Sequence, residues 1–159
     1  AILQALESDT GESRSAALGE IATEGSAVSA LVGLFRASEL VMMQDPAAAS
    51  DVLAALIGQE SISGDYSDLA LFKQLLLEGS GLDASARRSG FEQLSAAGNP
   101  LRLLAQEQLA LLDLQENDET AAVKRLRDLL QDAEMTQNLR QRLGQLMVAL
   151  GQDPNALDG

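Results

Sequence analysis

A period of 34 residues near the end of the chain constrains its fold more than any other feature of the sequence. Two helix-forming stretches repeat at this distance, and three pairs of positions align: Leu109-Ala110 with Leu143-Gly144, Asn117 with Gly151, and Ala122 with Ala156. This period is the length of a helix–turn–helix unit that stacks on its neighbours. The sequence therefore predicts an all-α fold, an α-α superhelix of antiparallel helix hairpins.

The composition agrees with helix packing. The chain has 159 residues, enough for one domain with a real core, and 46% of them are hydrophobic. Only 3% are aromatic and there is no Trp, so Leu and Ala must form the core. No stretch reaches the roughly 18–20 apolar residues of a membrane span.

The absence of His and Cys narrows the chemistry. Disulfides and Cys/His metal sites are excluded. The two commonest side chains of acid–base and nucleophilic catalysis are also missing, which lowers the expectation of an enzyme. We predict no catalytic residue, no metal site and no cofactor.

The net charge of −13 is unevenly distributed. Residues 1–80 contain 12 acidic and 3 basic residues, whereas residues 81–159 contain 12 acidic and 8 basic residues. The N-terminal half should repel nucleic acid and anionic lipid, so we expect no nucleic-acid partner. Solubility alone is the simpler explanation of the charge.

Apolar spacing and turn signals predict nine helices. In the third helix we expect Val28, Leu31, Val32, Phe35 and Leu40 to form the buried side. Asp45-Pro46, Asn117-Asp118 and Thr136 are typical helix starts. The predicted helices span residues 1–7, 13–23, 26–43, 45–57, 65–78, 83–98, 101–115, 118–133 and 136–151.

The last helices explain the repeat physically. The eighth has an apolar stripe at Ala122, Leu126, Leu129 and Ala133, whereas the seventh is apolar almost all round. A Gly inside a helix costs about 1 kcal/mol relative to Ala, so Gly144 needs an explanation. A close helix crossing there would provide it, and Gly144→Leu would then destabilise the fold by overpacking.

These features resemble tetratricopeptide repeats over residues 26–159. An earlier hairpin fits more loosely, with small and Leu residues on both of its helices. The pair of helices between residues 65 and 98 departs from the period, because Gly79-Ser80-Gly81 lengthens its turn. We expect a single domain, 1–159, with lead-in helices at 1–25, divergent hairpins at 26–98 and the best repeats at 99–159.

The order of the elements, with Gly98-Asn99-Pro100-Leu101 opening the best repeat, resembles one family. It is the periplasmic tetratricopeptide-like domain of the ancillary Sec translocon subunit of proteobacteria. The resemblance implies a bacterial inner-membrane protein whose domain faces the periplasm, with translocon or chaperone components as protein partners. Because the chain starts at Ala1 without Met and stops near a new helix at Ala156-Leu157, we expect a longer protein with a membrane anchor upstream.

In tetratricopeptide arrays, ligands lie in a groove lined by the first helices of the hairpins. The core is the alternative location for the apolar members of such a set. Adaptable packing is the alternative for Met42. Carried over to this chain, the groove positions are Leu34, Val41, Met42, Glu107, Leu111, Leu114, Gln115, Gln141, Gln145 and Val148.

Two charged clusters have simple explanations beside functional ones. The acids at Asp65/Asp68 and Glu116/Asp118/Glu119 could hold a cation or run hydrolysis, but helix starts favour acids in any case. Lys124, Arg125, Arg127, Arg140 and Arg142 could receive an acidic partner, although pairing with Asp128, Asp132 and Glu134 is simpler. Two further functions stay open: a homodimerisation module and a carboxylate-dependent hydrolase.

Overall fold

The structure is a computed structural model that describes residues 1–21 and 26–154. Within these ranges it contains only helices and no strand, so the predicted all-α class is confirmed. The tetratricopeptide-like superhelix stays a prediction. The helices are α1 (Ile2–Leu6), α2 (Gly11–Gly19), α3 (Ser26–Met42), α4 (Pro46–Ile57), α5 (Gly64–Glu78), α6 (Ala84–Leu94), α7 (Arg102–Gln115), α8 (Glu119–Leu130) and α9 (Gln137–Ala149), with a 3₁₀ turn at Gly79–Gly81. No helix in the described part of the chain is both long enough and apolar enough to cross a membrane.

Local capping signals place most helix starts. The side chains of Asp45, Asp118 and Thr136 each accept a hydrogen bond from the backbone N–H three residues later, at 3.0, 2.9 and 3.3 Å. Each bond satisfies an N–H that has no partner inside its own helix. The three starts predicted from these residues are therefore confirmed.

Several helix boundaries differ from the prediction. α2 begins at Gly11, two residues early, because Thr10 and Ser13 exchange side-chain and backbone hydrogen bonds in a capping box. α2 also ends at Gly19 rather than at Thr23. α6 ends at Leu94 rather than near Gly98. α8 ends at Leu130, since the Asp132 carboxylate beyond it accepts a hydrogen bond from a backbone N–H two residues later. The helix start predicted at Ala156 lies outside the described residues.

One turn geometry follows three of the helices. Gln44, Asn117 and Gly151, just after α3, α7 and α9, have φ values of 61°, 62° and 70°. In each turn the next residue donates its N–H to the carbonyl five residues earlier, at 3.0, 2.8 and 2.9 Å. This left-handed cap satisfies carbonyl groups at the helix end and turns the chain back. Asn117 and Gly151 are an aligned pair of the 34-residue period. The structure therefore has a turn of the same geometry at these two positions of the repeat.

The chain forms two compact units, Ala1–Asp83 (unit 1) and Ala84–Gly159 (unit 2). The sequence analysis expects one domain, because no linker long enough to divide the chain is visible. The boundary instead lies between α5 and α6, inside the pair of helices that departs from the repeat period. The 3₁₀ turn at Gly79–Gly81 and the two residues Leu82 and Asp83 connect the last helix of unit 1 to the first helix of unit 2.

Unit 1 is built from helices that pack on their neighbours in the chain. α3 packs between α2 and α4, and α5 packs on α4. A smaller cluster of Ala5, Leu18 and Val32 joins α1, α2 and α3. The main core consists of small and medium apolar side chains from α3, α4, α5 and the loop between α4 and α5: Ala30, Leu34, Ala37, Leu53, Leu56, Ile62 and Ala70.

Unit 2 follows the same plan with α6 to α9. The predicted stripe of α8 is buried at Ala122, Leu126 and Leu129, whereas Ala133 lies beyond the helix and is exposed. α7 buries Leu109 and Leu112, which lie three residues apart on one side of the helix, whereas Leu111 and Leu114 are half-buried. One core cluster gathers side chains of α7, α8 and α9: Ala110, Val123, Leu126, Leu129, Leu139, Leu143 and Met147.

One close helix crossing in the described part of the chain is at Gly33. A Cβ atom at Gly33 would lie 2.7 and 2.9 Å from the two Cδ atoms of Leu56 and 3.1 Å from its Cγ. Leu56 is buried in α4 and has little room to move. Among the described residues, a Cβ at Gly144 would have Pro154 as its nearest neighbour, at 3.9 Å. The helix expected to cross at Gly144 would begin at Ala156, outside the described residues, so that crossing stays a prediction.

Alanine substitutions at the two glycines should change stability in opposite directions. Both gain helix propensity, worth about 1 kcal/mol. Gly144→Ala should therefore raise the free energy of unfolding by roughly 0.5–1 kcal/mol, whereas Gly33→Ala should lower it by roughly 1–3 kcal/mol through overpacking against Leu56. Urea unfolding of both variants measures the difference. Equal shifts in the two variants would contradict the assigned crossing.

Candidate functional site

α3 has apolar side chains on both of its sides. Leu34, 8% exposed, lies with Ala30 and Ala37 in the core of unit 1. On another side Phe35 is 41% exposed and Met42 is 72% exposed. This exposed set is termed the α3 face and comprises Val28, Leu31, Phe35 and Met42, which recur at helical spacing. Val41 is also exposed but follows Leu34 and Ala37 at intervals of seven and four residues, so it lies on their side of α3.

The prediction of a single buried side for α3 is therefore only partly correct. Val32 and Leu40 are buried as expected, but Val28, Leu31 and Phe35 are exposed. The physical reason is that α3 contacts α2, α4 and α5 through its other side chains. A helix that is apolar all round is itself the sequence signal for a second covered surface.

A groove continues the α3 face toward α5. It has a volume of about 240 Å³, and Leu76 of α5 is exposed at its side. Its surface is mostly apolar, with one cation, Lys73. The residues that line this α3–α5 groove are Ala37, Ser38, Val41, Leu53, Lys73, Leu76 and Leu77.

The groove positions predicted on α3 separate in the structure. Val41 and Met42 are adjacent and exposed, and Val41 also lines the α3–α5 groove. Leu34 was predicted to face a groove, but its side chain is part of the core cluster of unit 1. A partner could reach Leu34 only by opening that core.

Glu107 was predicted to face the groove from α7, but it is buried. Its carboxylate accepts two hydrogen bonds from the Arg142 guanidinium, each 2.5 Å long, which join α7 to α9. Glu107 raises the pKa of Arg142 through these hydrogen bonds. The distance of 35 residues between the partners explains why local spacing could not reveal the pair.

The other predicted positions of unit 2 are at least partly accessible. Leu111 and Leu114 are half-buried on α7, and the exposed Gln115 accepts a 3.2 Å hydrogen bond from Arg87. On α9, three exposed residues recur at intervals of four and three positions along one side: Gln141, Gln145 and Val148. Each unit therefore contains its own subset of the predicted groove residues.

A buried carboxylate connects three helices of unit 2. Asp113 of α7 is 3% exposed, and its two oxygens lie 2.8 Å from Arg88 of α6 and 3.0 Å from Arg125 of α8. The hydrogen bond to Asp113 is the main cause of the raised pKa of Arg88, and Glu116 adds to it. This site is structural, because both sides of the carboxylate are already occupied by protein cations.

A second ion-pair cluster closes the end of α8. Arg102 of α7 donates hydrogen bonds to Asp132 at 2.8 and 3.1 Å and to Glu134 at 2.7 Å. The hydrogen bond from Arg102 lowers the pKa of Asp132, and the backbone N–H of Glu134 lowers it further. Of the predicted pairings, Lys124 with Asp128 is confirmed at 2.8 Å, whereas Asp132 and Glu134 bind Arg102 instead.

A surface depression of about 380 Å³ between α7 and α8 contains three of these cations, but each already has an acidic partner. Arg102 pairs with Asp132, Lys124 with Asp128, and Arg125 with the buried carboxylate of α7. Each of these three cations is therefore already neutralised by an acidic side chain of the protein itself.

The acidic clusters mostly have the helix-start roles expected of them. Asp118 caps α8, Glu119 lies in its first turn, and Asp65 lies in the first turn of α5. Glu116 is different, because it follows the end of α7 and binds Arg88 at 2.9 Å. Within residues 1–21 and 26–154 no three acidic groups converge in a way that could hold a metal ion.

Comparisons with protein-family models, curated sequences and solved structures find no match to this chain. No family is therefore assigned to this chain, and the predicted family stays a prediction.

Replacing the buried carboxylate should destabilise unit 2 far more than replacing an exposed one. Asp113→Asn leaves Arg125 without its counter-charge and Arg88 with Glu116 alone, and should lower the free energy of unfolding by roughly 2–4 kcal/mol. Asp128→Asn is the matched control, because it removes an exposed i,i+4 pair worth about 0.5 kcal/mol or less. Urea unfolding of both variants gives the comparison. Similar small losses would show that the buried cluster contributes little.

The Asp132 pair should make stability depend on acid pH. Because the folded protein lowers the pKa of Asp132 below its ordinary value of 3.8, the stability that it contributes is complete above that value and is lost as the pH falls through the folded value. Asp132→Asn keeps the acceptor for the Glu134 N–H but removes the charge. The stability difference between the two proteins should shrink between about pH 5 and about pH 2. A constant difference would contradict the pairing.

Proposed function

We propose that this chain is a non-catalytic scaffold for protein–protein interaction, and that partners dock on the α3 face. The observation that carries the proposal is the exposed apolar surface itself. Met42 lies 14 positions after Val28, which is about 21 Å along the helix at about 1.5 Å per residue. An apolar surface of this length, when it is exposed, usually marks an interaction site.

The shape and the chemistry support binding rather than catalysis. The α3–α5 groove lies beside the face and adds an apolar depression in which a partner side chain could anchor. Two methionines, Met42 and Met43, are exposed at one end, and methionine adapts to partners of varied shape. The lack of His and Cys removes the usual catalytic groups from the whole sequence.

The narrower proposal comes from the resemblance of the sequence. The chain is proposed to be the periplasmic domain of a bacterial inner-membrane protein that associates with the protein-export translocon and periplasmic chaperones. A pull-down from detergent-solubilised membranes tests it. Recovery of translocon or chaperone components supports the proposal, and recovery of cytosolic proteins alone contradicts it.

Self-association is the second candidate function. Val28, Leu31, Phe35, Ser38 and Met42 follow the alternating three- and four-residue spacing of a coiled-coil seam. A second copy could therefore pack along α3. Light scattering at high protein concentration measures the mass directly, and a monomer throughout contradicts this candidate.

A photo-crosslinking amino acid at Phe35 should capture a partner when it is placed in the full-length protein in cells. The same amino acid at the exposed Lys124 of unit 2 is the control and should capture less. Adding Met42→Ser should reduce the yield at position 35, because it removes apolar contact area from the α3 face. Equal yields of crosslinked partner from positions 35 and 124 would contradict the proposed docking face.

A further inference from the structure

We infer that the α3–α5 groove takes an apolar side chain of a partner helix that also carries an acidic side chain one turn away, and that Lys73 pairs with this carboxylate. The inference rests on the proposed function and names the chemistry of the partner that docks on the α3 face. It depends on three observations: the continuity of the groove with the face, the apolar wall of the groove, and a cation in that wall without a described partner.

Ser38 connects the groove to the α3 face. It lies seven positions after Leu31 and four before Met42, so the three residues share one side of α3. Ser38 also lines the groove, together with Val41. A helix that packs along the line from Val28 to Met42 therefore passes beside the groove and can place one side chain in it, a common mode of peptide recognition.

The wall of the groove favours an apolar side chain. It combines apolar residues of three helices, among them Val41 of α3, Leu53 of α4 and Leu76 of α5. Val41 and Leu76 are exposed, so a partner side chain in the groove would remove their apolar area from water. This burial is the main source of affinity that the groove can provide.

Lys73 is the single charged residue of this wall. Its side chain is half-buried, and among the residues that the structure describes it has no ion pair or side-chain hydrogen bond. Acids one turn away on a helix commonly pair with a lysine. On α5 the four positions one turn from Lys73 hold apolar residues instead: Leu69, Ala70, Leu76 and Leu77. The ammonium group is therefore available to a carboxylate of a partner.

The acids of α3 and of the C-terminal half of α5 have other partners. Glu39, the only acid of α3, lies 2.8 Å from Arg14 of α2. Glu78 of α5 accepts hydrogen bonds from Ser50 and Gln74. Unit 1 has 13 acidic residues and only 3 basic ones, yet none of the acids lines the groove. A partner carboxylate would thus meet a cation there with no carboxylate in the wall beside it.

A second copy of the chain fits this site less well. Packed along α3, it would bring Glu39 as the only acid of that helix, and this side chain already pairs with Arg14. Both Lys73 ammonium groups would then lack a counter-charge from the opposing helix. A basic helix is disfavoured as well, because it would bring another cation close to Lys73. An acid-bearing helix is the occupant that suits both the apolar wall and the cation.

Two synthetic peptides test the inference on the purified chain. Each is an amphipathic helix of about 18 residues with a Leu-rich apolar side at coiled-coil spacing. The two differ only in Glu or Gln at the positions that border this side, so the comparison isolates charge from shape. At physiological salt the Glu peptide should bind about three- to fivefold more tightly by fluorescence anisotropy, and the preference should weaken at high salt.

Substitutions in the chain locate the effect. Lys73→Met keeps an apolar stem but removes the charge, so the preference for the Glu peptide should disappear. Lys124→Met is the matched control, because it removes the same charge from an exposed position of unit 2 and should leave the preference intact. Leu76→Ser should weaken the binding of both peptides by similar factors, since it removes part of the apolar wall. Thermal unfolding of each variant confirms that it is folded.

Several outcomes overturn the inference. They are equal binding of the two peptides to the unmodified chain, tighter binding of the Gln peptide, no binding of either, a Glu preference that survives Lys73→Met, or a dimer in light scattering that Phe35→Ser abolishes. If crosslinks from position 35 persist in any of these cases, only the partner chemistry is wrong. If position 35 gives no crosslink in cells, the proposed function fails as well.

Discussion

The reversal of the chain after α3, α7 and α9 is the constraint on which the rest of the structure depends. A residue with positive φ at Gln44, Asn117 and Gly151 lets the next N–H reach a carbonyl five residues back. After α3 and α7, an Asp then caps the following helix. Consecutive helices consequently pack as neighbours in each unit, and Leu and Ala are sufficient to fill the space between them.

The two units use charge in different ways. Unit 2 has enough arginines to bind its acids across helices, as Asp113 does between α6 and α8 and Glu107 does between α7 and α9. Unit 1 has few bases, so most of its acids remain as solvated negative charge. Its exposed apolar side chains gather on α3, with Lys73 in the groove beside them. The exposed apolar surface of α3 is therefore a stronger candidate for an interaction site than the better repeat at the C-terminal end.

Interactions between residues close in the chain were predictable from the sequence. Asp45, Asp118 and Thr136 cap helices through contacts three residues away, so their role is visible in the order of residues alone. The alignment of Asn117 with Gly151 anticipated a shared backbone geometry because left-handed residues have a strong compositional preference. Most helices were placed to within a few residues for these reasons.

Contacts between residues distant in the chain were not predictable. Nothing in the sequence marks Gly33 as a crossing point, and only the position of Leu56 beside it reveals the close approach. Glu107 matched a groove position by its spacing, yet its partner Arg142 is one repeat away and buries it. Val28, Leu31 and Phe35 satisfied a helical apolar pattern, but α3 has two such patterns and the sequence does not say which one the core uses. The candidate site was therefore the least predictable part of the molecule.

The exposure of Met42 makes its side chain susceptible to oxidation. With 72% of the residue open to solvent, its thioether is accessible to peroxide, whereas Met147 is fully buried in unit 2. Conversion to the sulfoxide would place a polar, chiral group at one end of the apolar line on α3. Oxidative damage would accordingly begin at the surface that the protein has available for contact, and would leave the helical framework intact.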